Sequence, residues 1–146
     1  MTIRETGSRA GSRYSYFEHD ADTGVVGYGA TLEEAFEAAA AAMFAIMTDL
    51  AAVRREHNVD IAFEEADVEL ALVRWLNALL AAARENGMVF AAFRLERDAV
   101  VWRGSASGER WRDGLERGVE VKGATLTMLA VTHTQAGWEA RCVVDV

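Results

Sequence analysis

The chain contains no proline, and its single cysteine is Cys142. Without proline, the turns have to rely on glycine, asparagine and aspartate for the backbone conformations that reverse the chain. A lone cysteine cannot form an internal disulfide, which indicates a reducing compartment, and we expect the cytoplasm. The longest uncharged apolar run covers residues 38–47, which is far shorter than the roughly 20 residues of a membrane-spanning helix. We therefore expect no association with a membrane.

Positive charge is scarce as well. Lysine and arginine number 15 against 23 aspartates and glutamates, so the formal net charge is −8. This balance argues against a protein that binds nucleic acid or anionic lipid through charge alone. It leaves a divalent cation or a basic protein surface as candidate ligands.

The length of 146 residues and the apolar fraction of 51% are those of one globular domain. Residues 1–13 are polar, rich in glycine, serine and arginine, and lack the apolar run of a signal peptide. We expect these residues to form a flexible tail and residues 14–146 to form the domain.

Two helices are predicted from apolar residues that recur at steps of three and four. The first follows a capping box formed by Thr31 and Glu34 and ends near Thr48 or Asp49. The second is capped by Asp67 and ends at Asn86-Gly87. Alternating apolar residues predict short strands over residues 14–18, over residues 25–29 and within residues 53–64.

After residue 87 the sequence alternates in the manner of antiparallel strands, predicted over residues 89–95, 100–102, 119–131 and 138–144. Breaks are expected at residues 97–98, 105–118 and 136–137. The predicted fold is α+β, with two helices packed on a mostly antiparallel sheet in a single two-layer domain.

The densest polar chemistry lies in residues 16–29, which contain Glu18, His19, Asp20 and Asp22. Asp20 and Asp22 are two residues apart, so in an extended segment their carboxylates point to the same side. Neighbouring carboxylates repel each other unless a cation or a donor neutralises them, and a hard divalent ion prefers such oxygens. The alternative is that both aspartates serve a turn, with Asp22 capping it at Gly24.

The last strand offers a second carboxylate. Residues 138–146 alternate so that Asp145 faces away from Trp138 and Cys142. A final strand beside the first would bring Asp22 and Asp145 together and create an oxygen-rich cation site. The alternative is a solvated aspartate where a strand ends.

Other site classes receive little support. The histidines do not have the spacing of metal ligands, and no histidine lies near Cys142 in the sequence, which argues against a zinc site or a Cys-His nucleophile. No glycine run has the spacing of a phosphate-binding loop. Among the tryptophans, Trp75 and Trp138 fit buried faces, whereas Trp111 is expected to be exposed and to contact a partner.

The order of several motifs resembles the archease family. The N-terminal signature is residues 17–24 (Phe-Glu-His-Asp-Ala-Asp-Thr-Gly), followed by residues 29–36. Further matches are residues 42–49, 72–77 (Leu-Val-Arg-Trp-Leu-Asn), 121–125 (Val-Lys-x-x-Thr), 137–140 (Gly-Trp-x-Ala) and 144–146 (Val-Asp-Val). Together they span nearly all of the chain after residue 15.

The resemblance implies an accessory protein and not a stand-alone enzyme. Archeases activate the GTP-dependent RNA ligase of tRNA splicing and RNA repair by promoting guanylylation of its active-site histidine. By the same resemblance, Asp22, Asp145 and the backbone oxygen of Val146 hold a divalent metal ion, with Ca²⁺ expected before Mg²⁺ or Mn²⁺. His19 is expected to support this site, and Glu18 is not part of it. RNA is expected to be contacted at most through the ligase.

Three features depart from the family pattern. Asp20 occupies a position where many relatives have threonine, Thr127 one where they often have histidine, and residues 105–118 match poorly. Two other functions remain as alternatives. One is a metal-dependent phosphoester hydrolase with Asp20 and Asp22 around an activated water. The other is a chaperone-like binding module with an apolar groove.

Overall fold

Two helices and nine strands make up the fold in the computed structural model, which describes residues 5–6 and 13–146. Their order along the chain is β1 (Glu5–Thr6), β2 (Tyr14–His19), β3 (Asp22–Gly29), α1 (Leu32–Met47), β4 (His57–Glu64), α2 (Val68–Asn86), β5 (Met88–Asp98), β6 (Val101–Arg110), β7 (Gly123–Ala124), β8 (Ala130–Thr134) and β9 (Gly137–Asp145), with a 3₁₀ turn at Leu50–Ala52 after α1. The α+β class is therefore confirmed. The predicted flexible tail falls mostly outside the described residues, within which Glu5–Thr6 pair with β2.

The predicted helix ends agree with the local chemistry. The Thr31 hydroxyl accepts the Glu34 N–H at 3.1 Å, and the Glu34 carboxylate accepts the N–H of Ala30 at 3.3 Å. At α2, the Asp67 carboxylate accepts the Leu70 N–H at 3.0 Å. Gly87 ends α2 at a φ of 61°, a conformation that costs glycine little.

The strands form two antiparallel sheets, where one was predicted. The larger has the order β1-β2-β3-β9-β7, with β8 also paired to β9, and the smaller has the order β4-β6-β5. Helix α1 contacts strands of both sheets. Its buried face and the aromatic side chains of the smaller sheet meet in one core, where the Phe36 and Trp102 rings stack at 5.3 Å. The Trp75 indole N–H donates to the Phe36 carbonyl at 3.0 Å and joins α2 to α1.

Two strand predictions are wrong, each for its own reason. Residues 105–118 were expected to be a break, yet β6 continues to Arg110. Ala106 and Gly108 lie against the interior and are too small to give the apolar alternation by which a strand is predicted. Residues 119–131 were expected to be one strand, but only Gly123–Ala124 and the start of β8 are extended. The N–H of Val119 instead donates to the carbonyl of Ile46 at 3.2 Å.

A buried carboxylate stabilises the smaller sheet. Glu109 accepts the Arg112 guanidinium at 2.7 Å and the Arg54 backbone N–H at 2.6 Å. These two bonds, the one from Arg112 first, hold the pKa of Glu109 below its usual value. No helix of the described residues is long and apolar enough to cross a membrane.

Candidate functional site

The structure brings Asp22 next to the end of β9 and to Val146, the residue that follows this strand. Strands β3 and β9 pair in register from Gly29 opposite Trp138 to Thr23 opposite Val144. One further step places Asp22 opposite Asp145, a position at which antiparallel side chains lie about 5 Å apart. The backbone N–H of Val146 donates to the Asp22 carboxylate at 3.3 Å. A shared site was expected if the final strand lay beside the first; the final strand lies instead beside β3, which begins at Asp22, and this pairing brings the two segments of the candidate site together.

The two aspartates share the outer face of the larger sheet, the face turned away from α1. His19 pairs with Asp22 across the β2–β3 hairpin, so alternation places His19, Asp22 and Asp145 in one row. His19 and Asp22 are half-buried, whereas Asp145 is exposed. This row, called the outer polar row below, is the candidate metal centre.

The main chain of Asp145 is held from both sides. Its carbonyl accepts the N–H of Lys122 at 2.8 Å, and Gly123 of β7 pairs with it. Strand β3 lies on the other side of β9. The backbone of Asp145 is therefore held in place while its side chain is exposed. The carboxylate is accessible to a ligand from solvent, and its position is fixed by the backbone.

Asp20 and Glu18 do not join Asp22. Asp20 has a φ of 52° in the hairpin turn, so the extended segment that would align it with Asp22 does not exist. Its side chain is 92% exposed, and one of its carboxylate oxygens lies 3.7 Å from Nδ1 of the His19 ring. Asp20 is a turn residue, the alternative weighed from the sequence, since aspartate tolerates this conformation. Glu18 is exposed and pairs with Thr23, on the opposite side of the strand from Asp22.

A small apolar cluster lies beside the outer polar row, on the same face of the larger sheet. Phe17, Val26 and Val143 are buried together on the outer face, with Tyr28 and Met128 packed against them. Gly24 makes this possible, because a Cβ at that position would overlap the Phe17 ring. The cluster adjoins Asp22 along β3 and limits the positions that the hairpin can take.

The donor set is chemically suited to a hard cation. Asp22, Asp145 and the Val146 carbonyl supply oxygen only, which suits Ca²⁺, Mg²⁺ or Mn²⁺ and does not suit zinc. Among the described residues, no three side chains of the His, Cys, Asp and Glu types are grouped as a metal site. A cation held here would therefore take backbone oxygen and water in addition to the two carboxylates.

The tryptophans named from the sequence, and two of the histidines, lie outside the candidate metal centre. Trp75 is buried, as predicted. Trp138 is half-buried and stacks on His133 at 4.4 Å, so it lies at the margin of the core. Trp111 was expected to be exposed but is half-buried, with the Arg117 guanidinium 4.1 Å above its ring. His57 is exposed at the start of β4.

Sequence reasoning missed the part that Lys122 and Gly123 play in fixing Asp145. Lys122 and Gly123 act through backbone groups, which nearly every residue has, so no pattern of side chains predicts this contribution. Thr127, noted for its departure from histidine, is exposed, and its carbonyl accepts the Val143 N–H at 3.0 Å. This bond also does not depend on the side chain.

Comparison with known proteins identifies close similarity over most of the chain. The model of the Archease protein family matches residues 14–146. A protein archease of Saccharolobus solfataricus is 36% identical over 137 residues, covering 92% of this chain and 99% of the relative. A protein archease of Sulfolobus acidocaldarius is 34% identical over 140 residues, with the same coverage.

A solved structure agrees with the fold described above. The solution structure of Methanobacterium thermoautotrophicum protein 1598 superposes with a TM-score of 0.78 at 30% sequence identity. The match covers 92% of this chain and 99% of that protein. Sequence and structure therefore lead to the same group of proteins.

Proposed function

The chain belongs to the archease family, and from that premise we propose that it is an accessory activator of a GTP-dependent RNA ligase. Its action is to promote guanylylation of the ligase's active-site histidine and to permit multiple turnover in tRNA splicing and RNA repair. The ligase is the protein partner, and RNA is reached through it. The proposal assigns no catalytic residue to this chain and places it in the cytoplasm.

The observation that carries this proposal is the hydrogen bond from the Val146 N–H to the Asp22 carboxylate. It joins the two segments that the family resemblance names as one site, although they lie 124 residues apart in the chain. Asp22 and Asp145 then supply the two carboxylates, and Val146 supplies a backbone oxygen.

The proposed cation is Ca²⁺, with Mg²⁺ or Mn²⁺ as substitutes, since all three prefer oxygen donors. When bound, it offsets the repulsion between the two carboxylates and presents a positive charge at the edge of the sheet. The chain's own residues do the positioning. The pairing of β9 with β3 and β7 sets where the Asp145 carboxylate stands, and the β2–β3 hairpin sets Asp22.

The structure does not provide the geometry that the phosphoester hydrolase alternative requires. It required Asp20 and Asp22 to face a common water, and Asp20 lies in the turn with its side chain almost fully exposed. The accessory function needs only Asp22 and Asp145, and the hydrogen bond from the Val146 N–H to Asp22 supports their sharing one site.

The test is ligase guanylylation and multiple-turnover ligation with Asp22→Asn and Asp145→Asn. We expect each variant to lose at least about tenfold in stimulation, because each removes one anionic ligand from a site with few of them. Asp20→Asn is the matched control: it removes the same charge two residues from Asp22 and is expected to stimulate like the wild type.

Calcium binding, measured by calorimetry on the purified chain, provides a second measurement that needs no ligase. Wild type and Asp20→Asn should bind one ion, and the Asp22 and Asp145 variants should bind it at least about tenfold more weakly. Undiminished stimulation by both variants would refute the site assignment, and a wild-type chain without effect on the ligase would refute the function.

A further inference from the structure

A groove lies between the C-terminal ends of the two helices and the loop that follows β6. Its volume is about 360 Å³, within the usual range of pockets that take a ligand or a side-chain anchor. Phe44 and Met47 of α1 and Leu80 of α2 form its apolar wall, and Trp111 and Val119 belong to the loop opposite. Below, this feature is called the Trp111 groove.

The loop that closes the groove, residues 111–121, is tied to the domain through its backbone. The Trp111 N–H donates to the Gly87 carbonyl at 3.0 Å, and the Gly118 N–H donates to the Met47 carbonyl at 2.7 Å. The Arg84 guanidinium donates to the Val121 carbonyl at 2.8 Å. These bonds fix both ends and the middle of the loop, so the groove is formed without an occupant and little ordering cost opposes binding.

The charge at the groove differs from that of the whole chain. The net charge is −8, yet Arg84 and Arg117 both line the groove, and Glu120 is the one acidic residue among the described residues that line it. Within the part of the chain that the structure describes, neither arginine has an ion pair with a carboxylate. Arg84 donates to backbone carbonyls, and Arg117 stacks on the Trp111 ring. Two uncompensated guanidiniums beside an apolar wall are complementary to an acidic segment with an apolar residue.

An apolar side chain is also exposed at this groove. Val119 is 54% exposed, next to a tryptophan ring that Arg117 covers on one side. Buried or half-buried tryptophan and arginine are the residues that most often dominate binding at protein interfaces. The groove thus combines an anchoring pocket with a cationic rim.

The groove is connected to the outer polar row by a short segment of chain. Val121 lines the groove, and the next residue, Lys122, donates its N–H to the Asp145 carbonyl at 2.8 Å. Arg84 holds the carbonyls of both Val121 and Lys122. An occupant of the groove therefore lies against the same segment that positions the candidate metal centre.

We propose that the Trp111 groove docks an acidic segment of the partner protein. One apolar side chain of that segment inserts between Met47, Leu80 and Trp111, and a neighbouring carboxylate pairs with Arg117. Naming that partner as the RNA ligase rests on the proposed function. In this proposal the groove sets the affinity for the partner, and the outer polar row sets the stimulation of the bound partner. The Kd and the stimulation at saturation therefore measure the two contributions separately.

The first experiment measures the Kd for the ligase by calorimetry, and stimulation at saturating concentrations of the chain. Arg117→Glu reverses the rim charge, and Val119→Asp places a carboxylate at the apolar mouth. Both side chains are exposed, so we expect the variants to fold, which circular dichroism checks. We expect the Kd to rise at least tenfold for each, while stimulation at saturation stays within twofold of wild type.

Matched controls make the same changes elsewhere on the surface. Val100→Asp alters another exposed valine, 43% accessible, and Arg103→Glu reverses an exposed arginine of β6. Both should leave the Kd within twofold of wild type. Equal losses in controls and groove variants would mean that overall charge sets the affinity, and would overturn the proposal.

The second experiment uses 8-anilinonaphthalene-1-sulfonate as a probe, because it joins an apolar ring system to an anion and needs no ligase. Wild type should bind it, and Arg117→Glu and Val119→Asp should bind it at least fivefold more weakly than the controls. A ligase that binds both groove variants normally overturns the docking proposal and leaves the proposed function intact.

The remaining outcomes are equally decisive. A ligase that binds neither wild type nor variants refutes the proposed function. The probe then tests the groove by itself. Weaker probe binding by the groove variants supports the apolar and cationic chemistry of the groove, and unchanged probe binding overturns that chemistry. If sedimentation shows that wild type self-associates and Val119→Asp does not, the occupant is a second copy of the chain and the partner proposal is wrong.

Discussion

The two faces of the larger sheet carry different kinds of residue. The inner face presents Val25, Ala140, Cys142 and Val144 to the core, and none of them is accessible to solvent. The outer face presents one small apolar cluster and, beside it, the polar row of His19, Asp22 and Asp145. Strand β9 contributes to both, because its side chains alternate between the faces.

The difference explains why the candidate site lies where it does. A carboxylate on the inner face would lose its hydration and need full pairing, as Glu109 does in the smaller sheet. On the outer face, Asp22 accepts one backbone N–H and Asp145 remains exposed. Carboxylates that are positioned but not saturated with protein donors retain the capacity to bind a cation.

The same contrast explains the inertness of Cys142. It lies on the inner face with no exposed surface, and burial raises the pKa of its thiol to about 12. A thiol in this environment remains protonated and is neither a nucleophile nor a metal ligand at neutral pH. Its role is to pack.

The largest effect on this comparison is expected from Gly27→Ala, on the inner face. A Cβ at Gly27 would overlap the backbone of Ala35 and Ala39 in α1, and a helix backbone cannot move aside as a side chain can. We expect a loss of about 3 kcal/mol or more in the free energy of unfolding, measured by urea denaturation. A loss below about 1 kcal/mol would show that α1 can shift on the sheet.

Gly24→Ala makes the same change on the outer face and should cost less, about 2 kcal/mol. Here the obstacle is the Phe17 ring, a side chain that can be replaced. We expect Phe17→Leu to restore much of the loss when combined with Gly24→Ala, although it destabilises the wild type. A double-mutant cycle measures this coupling. Additive losses would contradict the account of the outer apolar cluster.

The smallest of the three effects concerns Glu109 and depends on pH. Its pKa is lowered by the Arg112 and Arg54 donors, so its stabilising contribution is complete above the ordinary value of 4.5 and is lost as pH falls through the lowered pKa. We expect Glu109→Gln to lower Tm by roughly 4 °C at pH 7. The difference from wild type should shrink in scans at progressively lower pH below 4.5.

Glu56→Gln is the control for that measurement. Glu56 is exposed and lies 4.0 Å from Arg54, so its pair contributes little to stability. We expect its Tm to match wild type across the pH range. A difference between Glu109→Gln and wild type that persists unchanged at pH 3 would show that charge is not what the buried carboxylate contributes.

Much of the fold follows from local sequence. The capping side chains of Thr31 and Asp67 and the glycine at 87 mark the helix ends that the structure has. The predictions failed where packing departs from simple alternation. In β6, the inward-facing positions 104 and 108 are glycine, because neighbouring backbone and the Trp75 ring fill the space that a side chain would need. Without apolar side chains at these positions, the sequence of this buried strand resembles that of a loop.

The candidate site was predictable in its parts. Asp22 was identified from the polar cluster of residues 16–29 and Asp145 from the alternation of the last strand, and both the expected position of that strand and the family resemblance suggested that they act together. The separation of Asp20 was not predictable, because an Asp-Ala-Asp sequence is compatible with an extended strand as well as with a turn. A positive φ at Asp20 results from the hairpin register between β2 and β3, which depends on both strands.

What the sequence alone determined is therefore local: the two helices and their ends, most strands, and the family to which their motifs point. Only the tertiary structure decided that the strands divide into two sheets, that residues 111–121 close a groove, and that Asp22 meets Val146. The physical reason is that these features depend on backbone hydrogen bonds between distant segments. Every residue other than proline carries the same backbone donor and acceptor, so side-chain patterns do not record which distant partner each one finds.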